Sequence, residues 1–202
     1  DPELSRGLGD VYKRQTIYTK ETIINNHEDV FAGGMQDNGT SLQADNNNGF
    51  SEGNDFSSGD GAATMFSQNN NNKYVVYNYV YNNSVRVLNM NNPDSENKRS
   101  QWWRISSNED NEGDFINTQA LDSNLGIIYS NAGNGKVRAY YNWDNFAPGS
   151  RGEIKDSYII NNLGSDVSAL TVSSFETQTS TLYVGTDNGQ LWKVTNLSLI
   201  HI

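Results

Sequence analysis

One short pattern occurs four times in this chain, and its recurrence sharply limits the folds open to it. The clearest copy begins with the β-type run Asp29-Val30-Phe31-Ala32. It passes through Gly33-Gly34-Met35-Gln36-Asp37-Asn38-Gly39 and leaves along Thr40-Ser41-Leu42-Gln43-Ala44. Asp-Asn-Gly between two such runs is a hairpin signal, because Asn and Gly accept the positive φ angles of tight turns. The same order returns from Leu182 to Val194 around Asp187-Asn188-Gly189. A looser copy spans Ile127 to Ala139 around Ala132-Gly133 and Asn134-Gly135, and the weakest spans Val75 to Val87 around Asn82-Asn83.

The bends fall at Gly39, Asn83, Gly135 and Gly189, which lie 44, 52 and 54 residues apart. Further strand-like runs fill the intervals. Thr16 to Lys20 reads as a strand left from a truncated unit. The second unit takes Ala62 to Ser67, the hairpin arms Tyr74 to Val80 and Ser84 to Met90, and Gln101 to Ser106. The third takes Phe115 to Leu121, Gly126 to Ser130, Lys136 to Asn142 and Ile154 to Ile160. The fourth takes Val167 to Ser173 and the hairpin Leu182 to Val194. Asp45 to Gly61 reads as loop with room for one short strand.

Repeats of about 40–50 residues with four strands apiece mark β-propeller blades. No window sustains apolar residues at i, i+3, i+4 and i+7, so no amphipathic helix is expected. The expected fold is therefore all-β, a β-propeller fragment of about four four-stranded blades. Rungs of a solenoid would repeat at about 20–30 residues and fit poorly. A sandwich of evenly spaced strands is the structural alternative.

Composition agrees with many strands and many turns. About 30 of the 202 residues are asparagine, a turn residue that tolerates the left-handed region. Hydrophobic residues reach only 35%, yet aromatics make up 11% and sit inside the β-like runs, which separates the chain from disordered sequences. The net charge of −10 disfavours nucleic acid, whose binding rests on Lys and Arg against phosphate. The chain has no cysteine, so disulfides and thiolate metal sites are excluded. It has no run of 18 apolar residues, so no membrane span is expected.

Residues 1–15 and 197–202 resemble translated sequencing adapter. On that resemblance the native part is expected to run from 16 to 196, as a partial propeller whose remainder belongs to a longer chain. A partial ring leaves open sheets at its ends, and poor solubility is expected of it.

The stretch Gly33 to Thr40, followed by Ser58-Gly59-Asp60-Gly61, resembles the sortilin-like and xyloglucanase-like propellers of the BNR, or Asp-box, superfamily. The likeness covers most of 28–196 and implies a secreted or cell-surface protein. The Asp-box runs Ser-x-Asp-x-Gly-x-x-Trp, and its Asp caps the turn. Asp187 to Trp192 meets the second half, with Gly185 where Ser or Thr belongs; Asp37-Asn38-Gly39 has Leu42 where Trp belongs.

In glycosidase members of that superfamily two carboxylates flank the scissile bond, one as acid and one as base. The resemblance makes Asp37 and Asp60 the candidate catalytic pair; the competing reading makes each an Asp that holds its own turn. Gln36, Asn38, Trp103 and Trp143 are the candidate ligand-binding residues, since amides at a bend and indole faces suit sugars and peptides alike. Trp102 and Trp103 are adjacent on one strand and so point to opposite faces. Arg86, Arg104 and Arg138 stand at unrelated positions and read as solvated strand faces rather than a carboxylate-binding cluster.

His27 is the single histidine before residue 201, which leaves too few for a histidine metal site or a Ser-His-Asp triad. Asp45 to Asn48 and Asn108 to Glu112 offer oxygen ligands without EF-hand spacing, and read as solvated loops. No metal and no cofactor are expected. The functional expectation is a non-catalytic binding propeller that recognises protein or polysaccharide through its blade loops. The alternative is a fragment of a xyloglucanase-type glycoside hydrolase.

Overall fold

The structure, a computed structural model, describes residues 16–18, 30–44, 54–55, 57–67, 74–82, 85–89, 102–106, 112–143 and 157–197. These form sixteen strands and no α-helix. Residues 1–15 and 198–202, which make up most of the two adapter-like ends, lie outside the described residues. So do His27, Asn83 and the clusters at 45–48 and 108–111.

The strands form four separate sheets. The first holds β1 (Thr16–Tyr18), β2 (Val30–Met35), β3 (Asn38–Ala44) and β4 (Asn54–Asp55) in that order, with β5 (Gly59–Asp60) running parallel to the start of β3. The second holds β6 (Thr64–Phe66), β7 (Tyr74–Tyr77), β8 (Arg86–Asn89) and β9 (Trp102–Arg104). The third holds β10 (Gln119–Asp122), β11 (Ile127–Gly133), β12 (Lys136–Tyr140) and β13 (Ser157–Ile160). The fourth holds β14 (Val167–Val172), β15 (Ser180–Thr186) and β16 (Leu191–Leu197). Each is an antiparallel meander in chain order, and no strand is shared between sheets, which removes the sandwich alternative.

Packing turns these sheets into consecutive blades. Along β7 the side chains alternate: Val75 and Tyr77 meet Ala32 and Leu42 of the first sheet, while Tyr74 and Val76 meet Ile128, Tyr140 and Trp143 at the third. The third sheet does the same. Ile128 faces back, and Ile127, Tyr129, Val137 and Ala139 face Val167, Leu182 and Val184 of the fourth. A period-two strand apolar on both faces is what a sheet needs when it is covered on both sides. First strands also lie against one another, β1 against β6 and β10 against β14. The result is an all-β, partial β-propeller whose core is three layers between four blades.

The structure shifts several expected boundaries. β1 is the first strand of the first sheet rather than the remnant of another unit, since Ile17 pairs with Gly33. The third unit starts at Gln119, so Phe115 and Ile116 lie in the preceding loop instead of a strand. The bend of the third hairpin, Asn134-Gly135, has φ of 53° and 66°, as its sequence predicts. In the first hairpin the positive φ falls on Asp37 and Gly39, with Met35 paired to Gly39.

Burial also sets the chemistry of Tyr77. Its hydroxyl is pushed up to about 12, chiefly by desolvation, while the neighbouring Arg86, 6.0 Å from the ring centre, pulls the other way.

Two substitutions test the packing. Ile128→Ala, at a fully buried position between the second and third sheets, is expected to cost about 2–5 kcal/mol in urea unfolding. A Cβ on Gly61 would stand 2.2 Å from the Gly39 carbonyl oxygen and 2.8 Å from Gly34 Cα, both backbone atoms. Gly61→Ala is therefore expected to cost at least about 1–3 kcal/mol. Gly189→Ala, with nothing within 4 Å of the added Cβ, meets only the cost of its positive φ, about 1–2 kcal/mol.

Candidate functional site

The hairpin tips and the segments that lead from one sheet into the next meet at one end of the blades. At the first junction the Gly61 amide donates to the Met35 carbonyl at 2.8 Å, and the Asp37 amide donates to Asp60 Oδ1 at 2.9 Å. The Thr40 amide donates to Ser57 Oγ at 2.9 Å. Gly34, Gly39 and Gly61 permit this approach, since a side chain at any of them would strike backbone.

The second junction uses side chains. Asn82, fully buried, donates from its amide group to Glu112 Oε2 and to the Asn131 carbonyl, each at 3.0 Å. Asn117 donates to Asn82 Oδ1 at 2.9 Å, and the Ser130 hydroxyl donates to the same oxygen. Glu112 is held by Arg138 through two bonds of 2.7 Å, and Arg138 also reaches Ser157 Oγ at 3.0 Å. Arg138 is therefore a part-buried tie between the loop and β12–β13, not the solvated strand residue its isolated position predicts. The third junction combines both kinds: the Gly135 amide donates to the Asp166 side chain at Oδ1, 3.2 Å away, and the Leu163 amide donates to the Gly135 carbonyl at 3.2 Å.

The candidate residues fall unevenly on this end. Gln36, Asp37 and Asn38 sit at the first tip, and Asp60 lies across from them. One Asp60 oxygen is taken up by the Asp37 main chain, so the two aspartates are brought together as a structural tie. Trp143 is removed from any ligand: it is 2% exposed and packs edge-on to Tyr74, ring centres 4.7 Å apart. Trp103 lies in β9 opposite Val87, and its side chain is outside the described residues. In the Asp-box-like fourth tip the turn is closed by Thr186 and Asn188, whose side chains bond at 2.7 Å. Asp187 contributes its amide, which donates to the Asp166 carbonyl at 2.9 Å.

Sequence reasoning missed three exposed apolar residues at this end, while Phe175, Leu191 and Trp192 are exposed on the fourth sheet and its loop. Tyr79 (36%), Phe115 (43%) and Ile116 (37%) are large, apolar and exposed at this end. Apolar pairs inside β-like runs read as strand, and only the neighbours Gly113-Asp114 and Asn117 signalled a loop. Tyr81 meets Phe115 edge-on at 5.8 Å, and the Tyr81 amide donates to the Phe115 carbonyl at 3.2 Å. Beside them the Asp114 carboxyl is pushed above the usual range, first by burial and then by the charges of Asp166 and Asp187.

A shallow depression of about 610 Å³ lies at the third junction, lined by Asn134, Lys136, Asn161, Asn162, Ser165 and Asp166 among others, none of them aromatic. Among the described residues no cluster of three or more His, Asp or Glu is placed to hold a metal ion, and no helix is long and apolar enough to cross a membrane.

No family model and no curated protein matches this chain. Among solved structures it is similar to the Myceliophteria thermophila Cps50 (Swd1) beta-propeller domain, with a TM-score of 0.54 and 8% identity over 90% of this chain. It is also similar, at a TM-score of 0.38 and 10% identity over 90% of this chain, to Saccharomyces cerevisiae Sqt1. The chain spans 55% of the first and 61% of the second. At this identity the first likeness speaks for the propeller fold alone. The sortilin-like and xyloglucanase-like resemblance draws no support from these comparisons.

The raised Asp114 carboxyl gives a pH test. Between the ordinary carboxylate value and its raised one, the folded chain binds more protons than the unfolded chain, so this group's contribution to stability falls as pH rises. Asp114→Asn is expected to raise stability at pH 7 by no more than about 0.5 kcal/mol, because the group is largely open to solvent screening. The gain should vanish below the ordinary carboxylate range when melting temperatures are compared across pH.

Proposed function

We propose that this chain is part of a non-catalytic propeller that binds a partner protein through its hairpin end. The observation that carries the reading is the group Tyr79, Phe115 and Ile116, exposed on loops that buried hydrogen bonds hold in place. Exposed apolar side chains on a fixed framework are the usual make-up of an interface core. The Asp37 amide bonded to one Asp60 oxygen favours the turn-holding role of Asp60 over a catalytic one. The depression at the third junction has no aromatic lining and so supplies no stacking face for a sugar there. A secreted or cell-surface location rests on the sequence resemblance, and a secretion signal in the complete gene would test it.

Catalysis is tested with the full-length protein and its Asp60→Asn variant, assayed for reducing-sugar release from β-glucans. Neither is expected to release sugar above a protein-free blank. Release by the parent that the variant abolishes would overturn the non-catalytic reading.

A further inference from the structure

We infer that the hairpin end of the second and third sheets docks a basic segment of its partner, one that carries an apolar or aromatic anchor between lysines or arginines. The inference rests on the protein-binding reading above and adds the chemistry of the partner.

The exposed apolar side chains stand on a backbone that is held in place. Asn117 fixes the loop from beneath: its Oδ1 accepts the Asp114 amide at 2.9 Å, and its Nδ2 donates to the Asn131 carbonyl at 2.9 Å. Gly113, at φ +81°, lies so close to Asn117 Oδ1 that an added Cβ would stand 2.3 Å away. Phe115 and Ile116 are thereby presented to water on a backbone tied to the buried Asn82–Asn117–Ser130 network. Tyr79 stands on the facing hairpin, its ring beside Gly59, 3.0 Å from where a Cβ would be. Side chains already held in place lose little freedom on binding, which favours them as anchors.

Carboxylates lie around those anchors. Asp60 follows Gly59 beside Tyr79, and Asp37 lies across from it. Asp114 precedes Phe115 and feels Asp166 and Asp187. Glu112 is answered by Arg138, so its charge is matched within the fold. Lys136 lies beside Asp166 at the third junction, and Asp37, Asp60, Asp114 and Asp187 leave carboxylates in excess around an apolar centre, within a chain of net charge −10. Such a rim steers a basic partner in and disfavours an acidic one. An uncharged apolar partner would gain nothing from it.

The test measures fluorescence anisotropy of a labelled peptide, Gly-Lys-Lys-Leu-Phe-Lys-Lys-Gly, with the full-length protein. Binding is expected, with affinity falling as salt rises. Phe115→Ala should weaken it at least about tenfold, the loss typical of a central aromatic anchor. Asp114→Asn should weaken it about two- to threefold and flatten the salt dependence. Thermal melts of both variants confirm that the fold is kept; if Phe115→Ala melts early, Ile116→Ser replaces it. Undiminished binding by the folded apolar variants would overturn the proposed surface. Equal binding of a peptide with Glu in place of Lys, still lost in Phe115→Ala, would overturn the basic partner and leave the protein-binding reading intact. Binding of β-glucan oligosaccharides with no peptide bound would overturn both.

Discussion

The contact on which the rest of this structure depends is the clasp between each hairpin tip and the segment that enters the following sheet. A blade cannot cover its own two faces, so neighbouring sheets must stack, and their angle and spacing must be set by something local. Here close main-chain contacts set it, with side-chain acceptors beside them. Gly61 lies on Gly34 and Gly39, and its amide bonds Met35. The third junction uses Gly135 and Leu163 for the same purpose. Apolar layers then fill the space that these contacts define. The clusters around Val75, Ile128 and Val184 each contain residues of two adjacent sheets.

The second junction shows that the clasp can change chemistry and keep its role. No glycine stands at the second bend within the described residues, and the connection from Tyr77 to Arg86 is longer than the other hairpin turns. Asn82 and Asn117 add buried side-chain bonds to the main-chain ones that run from Tyr81 to Phe115 and from Asn82 to Glu112. Burying amide groups this deeply is tolerable because each finds partners, including the Glu112–Arg138 pair at its margin. The longer connection also frees Tyr79 and Tyr81 to project at the end of the blades, where Phe115 joins them. The structural exception and the candidate binding surface are therefore the same place.

The candidate site was less legible than the fold, and particular residues show why. Asp37 and Asp60 attracted a catalytic reading through the resemblance to glycosidase propellers, against the competing reading of each as an Asp that holds its own turn. Sequence does not say which way an oxygen points, and here one points at an amide. Trp143 attracted a ligand-binding reading because an indole in a loop-like stretch can be a platform; folding closes Tyr74 over it. Phe115 and Ile116 were hidden by the opposite error. Two apolar residues before Gln119 look like the start of a strand, and the pairing of β10 begins four residues later.

The sequence by itself determined the all-β character, the four hairpins and their spacing. Each of these is written in local terms, in turn residues that accept positive φ and in the period-two alternation between them. The tertiary structure alone decided which strands belong to which sheet, which side chains face inward between blades, and which carboxylates are occupied. Those outcomes depend on residues brought together from 23 to 49 positions apart, as Asp37 with Asp60 and Asn82 with Asn131. A chain carries no local mark of which distant amide or ring will arrive beside a given side chain, so only the packed blades reveal it.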